Sequence, residues 1–247
     1  MNFISFKKHF ILVFLALVST VLYLLDYFIL GSSRDIASSF LGNLAFLPVY
    51  VIFVTLMIEQ IMRERDRQTI MRKLNMVIGV FFSEVGNRLL KELSAYVVMC
   101  DGLRNRLQVT GQWQEDDFQG ALDYLKSHET QIDCSGCDNQ QLKDYLVSKR
   151  SFLVGLLENQ NLLEHEQFTD LLWAVFHLVE ELEARHSFDG MPISDIDHIN
   201  GDIQRAFGYL SREWVLYMKH LKHDYPYLFS LAVRLNPMLE KPDPLVY

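Results

Sequence analysis

Twenty-three consecutive residues without a charge, Ile36 to Ile58 (IASSFLGNLAFLPVYVIFVTLMI), constrain this chain more than any other feature. As a helix they would extend about 35 Å at 1.5 Å per residue, against a hydrocarbon layer of roughly 30 Å. A second uncharged run, Phe10 to Leu25, lies upstream, and apolar character resumes after Asp26 as far as Leu30. The two runs, about 10–30 and 36–58, read as a transmembrane hairpin. A cleaved secretory leader is the alternative for the first, since Lys7 and Lys8 precede its apolar core. No small-x-small cleavage site follows, and another apolar run begins within a few residues.

Flanking charge sets the expected orientation. Lys7 and Lys8 precede the first run, Arg34 stands alone beside Asp35 in the connection, and Arg63, Arg65, Arg67, Arg72 and Lys73 follow the second. Both termini are therefore expected in the cytoplasm. Pro48 falls mid-span, where it removes a backbone donor. Asp26 falls near the outer end of the first span, where a carboxylate is solvated.

A third apolar run, LNMVIGVFF from Leu74 to Phe82, would extend only about 14 Å as a helix and is too short to cross. No glycine or proline separates it from the second span, so that span is expected to continue as a long cytoplasmic helix. Apolar residues on every side predict burial on every side, in a core or at a subunit contact. Gly79 and Gly86, seven apart, would admit a close backbone there.

The rest of the chain keeps helical spacing. Short or long helices are expected over Phe118 to Lys126, Gln140 to Asn159, Glu166 to Arg185, Asp195 to Lys222 and Tyr227 to Leu235. Ser194 or Asp195 is the expected cap of the long one, His128 to Asn139 reads as a loop, and NPMLEKPDPLVY reads as a polar tail. No alternating strand pattern is present. The expectation is an all-α protein, with a membrane hairpin at 1–62 and a cytoplasmic helical bundle at 63–247.

Function is constrained mainly by exclusion. The formal net charge of −8, without a basic stripe, makes nucleic acid a poor partner. The glycine spacings of nucleotide-binding loops are missing, as are HExxH and GxSxG. No cofactor is implied. The lipid bilayer is the expected partner, together with a second copy of the chain or another protein.

Metal chemistry has two weak candidates. Cys134 and Cys137 form a lone CxxC, half a zinc site, which would need His128 and perhaps Cys100 to complete it. Otherwise they are two thiols in a turn. Glu183 and His186 form an ExxH of the kind found in di-iron bundles, but a second ExxH is missing. His186, expected in the last helical turn on the apolar side, can instead stabilise the carbonyl end. On the same helix Phe168, Leu171, Leu172, Val175, Val179 and Leu182 form the apolar face at 100° per residue. His177, Glu180 and Glu181 fall opposite and read as solvated. Glu213 and His220 lie two turns apart, and His220 with His223 (HLKH) reads as a solvated helix end.

The segments LNMVIGVFFSEVGNRLL, LLENQNLLEHEQFTDLLWAVFHLVEELEAR and REWVLYMKHLKHDYPYLFSLAVRLNP resemble a family of uncharacterised prokaryotic two-span membrane proteins. The resemblance implies architecture and carries no activity. The leading expectation is a non-enzymatic protein of the prokaryotic inner membrane, an anchored interaction or signal-relay module, oligomeric through its long helix. The alternatives are a membrane-anchored iron or zinc protein and a small oligomeric channel. For a channel, Ser19, Thr20, Asn43 and Thr55 supply little polar lining.

Overall fold

The structure is a computed structural model that describes residues 33–98, 100–159, 162 and 165–246, together with Leu17, Val21, Leu24 and Phe28. The first expected span, with Lys7, Lys8, Ser19, Thr20 and Asp26, otherwise lies outside the described residues. The chain divides into two units, Met1–Arg67 and Gln68–Tyr247. Helix α1, Ser33–Phe81, contributes to both.

In the first unit α1 continues through Pro48, and its apolar side chains are exposed from Phe46 to Met62 wherever they are described. Among the described residues this is one helix long and apolar enough to cross a membrane. Glu59 and Arg63, one turn apart, pair just beyond the uncharged run.

The second unit is all-helical, with one isolated bridge, Val97 to Ile132, among the described residues. A π-helical turn, Phe82–Gly86, separates α1 from α2, Asn87–Ser94. Then follow α3 (Cys100–Leu107), α4 (Glu115–Ser127), α5 (Asn139–Leu157), α6 (Glu166–Ala184), α7 (Ile193–Asp224) and α8 (Pro226–Arg234). The 32-residue α7 is the central element, packing against α2, α4, α6 and α8.

The run Leu74 to Phe82 is buried on one face and not, as expected, on all. Leu74, Ile78, Phe81 and Phe82 are fully or nearly fully enclosed, whereas Met76 and Val80, one turn apart, stay exposed. The π turn shifts the helical phase by adding a residue to one turn. The carbonyl of Val85, inside that turn, accepts a hydrogen bond from the buried Tyr145 hydroxyl at 3.0 Å. Phe82 stacks on Tyr217 with centroids 4.8 Å apart, and Phe81 meets Phe168 edge-on at 5.3 Å. These contacts tie the end of α1 to α6, and the π turn to α5 and α7.

The apolar face expected on α6 is buried in full, from Phe168 to Leu182. Two local expectations fail for tertiary reasons. Pro192 stands at the N-cap of α7 without a side-chain cap; Ser194 and Asp195 fall inside the first turn, where Asp195 is engaged by Arg185. The start of the expected tail is docked: Asn236, Pro237 and Met238 are buried, and the Asn236 amide donates to the Leu107 carbonyl at 3.1 Å.

Candidate functional site

Helices α6 and α7 form a hairpin, and each carries a histidine followed one turn later by a carboxylate: His177 and Glu181 on α6, His198 and Asp202 on α7. Residues four apart share a helix face. In an antiparallel pair, equal spacing sets the first residue of one motif against the second of the other. His177 Nε2 lies 3.5 Å from Asp202 Oδ2, and His198 Nε2 lies 3.5 Å from Glu181 Oε2. Within each helix the separations are 3.8 Å for His177 to Glu181 Oε1 and 3.4 Å for His198 to Asp202 Oδ2. The four donor atoms all fall within 4.8 Å of one another.

Each carboxylate is held by an arginine. Arg185 donates to Glu181 Oε2 at 2.8 Å and reaches Asp195 through two further bonds. Arg205 donates to Asp202 Oδ1 at 2.9 Å. The hydrogen bond from Arg185 is the main reason the Glu181 carboxyl is held below the usual range, with His198 adding to it. Asp202 is nearly fully buried, and its Oδ2, facing both imidazoles, accepts no hydrogen bond. The imidazoles are partly open to solvent, with side-chain exposures of 43% and 51%.

The residues singled out from the sequence are placed differently. Glu183 is exposed and pairs with Arg150 at 3.1 Å. His186 is not in the last turn of α6, because the helix ends at Ala184 and Arg185 is already extended. His186 therefore lies exposed in the following turn, and the ExxH spacing no longer sets both side chains on one helical face. Cys134 is buried and its thiol approaches the Ile196 carbonyl, while Cys137 approaches the carbonyls of Ala95 and Asp133. Burial pushes both thiols up, away from the thiolate that binds metal. His128 is exposed and stacks on Tyr124 with centroids 4.2 Å apart. Among the described residues these three do not join a metal-ligand group; His177, Glu181, His198 and Asp202 do. The Cys100 side chain lies outside the described residues. His220 and His223 both pair with Asp224, which keeps that carboxyl low at the end of α7.

On α6 alone His177 and Glu181 read as a solvated face, which conceals the four-residue cluster. The available signal was the repeat of the same spacing on the next helix, His198 and Asp202, across a short connection.

An all-helical protein with this arrangement defines a class by architecture. Residues 70–234 match the C-terminal helical domain of the uncharacterised protein MJ1433, and residues 3–62 match the N-terminal helical domain of the same protein. Uncharacterised protein MJ1433 of Methanocaldococcus jannaschii is 39% identical over 237 residues, covering 95% of each chain. The chain belongs to the MJ1433 family. No solved structure matches it.

Proposed function

We propose that this protein is a membrane-anchored helical interaction module without catalytic activity of its own. One observation carries the anchoring: the apolar side chains of α1 remain exposed from Phe46 to Met62 in a stretch that has no charge before Glu59. Exposed apolar surface of that length is costly in water and favourable in lipid. The arginines that follow, beginning at Arg63, support a cytoplasmic position for the second unit by the positive-inside bias. A second span within residues 10–30 belongs to the same reading, with both termini cytoplasmic.

The test is fractionation of cells expressing the full chain, with membranes washed in high salt and then in alkaline carbonate. Retention through both washes supports an integral anchor, and release by either one removes it. Reporter fusions at each terminus then test the orientation; a periplasmic C-terminus would overturn that part of the reading. Self-association through α1 is tested by cysteines at the exposed Met76 and Val80. Symmetric cross-linking in membranes at both positions supports a homo-oligomer, and its absence at both opposes one.

A further inference from the structure

We propose that His177, Glu181, His198 and Asp202 form a binding site for a divalent transition-metal cation, with zinc as the ion that best fits the donor spacing. The inference stands independently of membrane anchoring, since all four residues belong to the second unit.

The spacing is the first argument. A zinc ion bonded to four nitrogen and oxygen donors at about 2.0–2.1 Å in a tetrahedron sets neighbouring donors about 3.3–3.4 Å apart. With Glu181 Oε1 as its ligand atom, three histidine-to-carboxylate separations run from 3.4 to 3.8 Å, and His198 lies 3.5 Å from the other Glu181 oxygen, Oε2. The four donor atoms all fall within 4.8 Å of one another, so closing on a shared ion asks side-chain adjustments of at most about 1.4 Å.

The second argument is the Asp202 oxygen. A buried carboxylate oxygen without a hydrogen-bond donor is expensive, because the water it gave up is not replaced. Arg205 satisfies Oδ1 and leaves Oδ2 buried, bare and directed between the two imidazole nitrogens. A cation at that point supplies the missing partner and also takes the Nε2 lone pairs of both histidines.

The surroundings fit the same role. Ligating carboxylates are commonly oriented by hydrogen bonds from outside the coordination sphere. Arg205 leaves Asp202 Oδ2 free, and Arg185 on Glu181 Oε2 leaves Oε1 free toward His177. Two imidazoles with two carboxylates suit zinc, ferrous iron or manganese better than magnesium or calcium, which prefer oxygen donors, and lack the thiolates that select cuprous copper. The half-exposed imidazoles leave the cation an entry path from solvent.

The test uses the full chain, stripped with a chelator that is then removed, and dialysed against zinc chloride. Metal is measured by elemental analysis, and cobalt(II) is used in parallel for its visible absorption. The expected result is one zinc per chain and a tetrahedral cobalt spectrum. His198→Ala, at a half-exposed position, keeps its helical circular dichroism, loses the cobalt band and raises the zinc Kd about 100-fold. The Cys134→Ser/Cys137→Ser double variant and Glu183→Gln retain the ion. Zinc also raises the melting temperature of the parent chain and not of His198→Ala, a readout that holds even where Asp202→Asn fails to fold. Substoichiometric binding by the parent chain overturns the proposal, as does binding unaffected by His198→Ala and His177→Ala. Loss of the ion in the cysteine variant alone would move the site to the CxxC.

Discussion

A Cβ placed on Gly86 would lie 2.5 Å from Cδ1 of Phe82 and 2.9 Å from Cε1 of Phe81. Both rings are fully buried and anchored, Phe82 on Tyr217 and Phe81 on Phe168, so neither has room to yield. Gly79, on the same long apolar stretch, is different: its nearest neighbour would be Tyr217 Cε2 at an ordinary 3.7 Å. Gly86→Ala is therefore expected to destabilise the protein by about 1–3 kcal/mol through overpacking. Gly79→Ala is expected to be neutral or stabilising by up to about 1 kcal/mol through helix propensity. Thermal melts of the two variants followed by circular dichroism separate them, and equal melting temperatures would refute the assignment of Gly86 to a closed site.

Glu213 gives a prediction with a definite pH sign. It is buried in α7 with Oε1 unbonded, and burial pushes its carboxyl up to about 7. Between pH 4.5 and 7 the unfolded chain ionises this group while the folded chain keeps it neutral, so the folded state binds more protons and stability falls as pH rises. The loss is complete above pH 7 and amounts to about 3 kcal/mol at most. Glu213→Gln should remove it. The melting temperature of the variant relative to the parent chain is expected to rise from pH 4.5 to pH 8. A constant difference across that range would mean that Glu213 does not hold its proton in the fold.

Much of this fold is written in local spacing, and the site is not. Phe168 to Leu182 repeat at helical intervals and are buried as that repeat predicts. Glycine and proline also mark the segment before α7. The end of α6, by contrast, depends on Arg185 turning out to meet Asp195, ten residues further on, and no local pattern announces that contact. His186 falls outside the last turn of α6 for that reason. His198 repeats with Asp202 the spacing of His177 and Glu181, but it becomes a candidate ligand only because the hairpin sets it opposite Glu181. Asn236 reads as tail until its amide is seen to bond Leu107, far away in sequence. In each case a polar side chain takes its meaning from a residue on another element.

His165 caps α6 with its imidazole, Nδ1 accepting from the Phe168 amide at 3.1 Å. The bond requires an unprotonated ring, and burial holds the His165 pKa below its ordinary value. Protonation would replace an acceptor with a cation at a helix N-terminus, the unfavourable end of the dipole. The capped state is therefore at full strength above about pH 6.5, and its contribution declines as pH falls below that, where the unfolded chain takes up the proton first. His165→Ala should cost about 1 kcal/mol at pH 7.5. His165→Asn should cost little at pH 7.5 and become stabilising relative to the parent chain at pH 5.5. A relative stability that does not change between the two pH values would show that the imidazole is not the cap.

The pairing of Arg185 with Asp195 joins the α6 and α7 hairpin just beyond the four-residue cluster. Its Nε and one terminal nitrogen meet the two carboxylate oxygens at 3.1 and 2.6 Å, a fork that lysine cannot reproduce. Arg185 also holds Glu181, and its hydrogen bonds are the largest cause lowering both the Glu181 and Asp195 carboxyls. Groups depressed in this way stabilise the fold above the ordinary carboxylate pKa of about 4 and lose that contribution as pH falls through the folded values. Arg185→Met should lower stability at pH 7 and flatten its decline between about pH 5 and pH 2. Arg185→Lys should recover only part of the loss. A double-mutant cycle with Asp195→Asn is expected to give a coupling of about 1 kcal/mol, the upper end of the range for exposed pairs, because this pair is partly buried. If Glu181 needs Arg185 to present its free oxygen, Arg185→Met will also weaken zinc binding, whereas Asp195→Asn, which leaves the Glu181 contact in place, will weaken it less. Equal effects of the two variants on zinc affinity would show that Arg185 acts on the hairpin as a whole and not through Glu181.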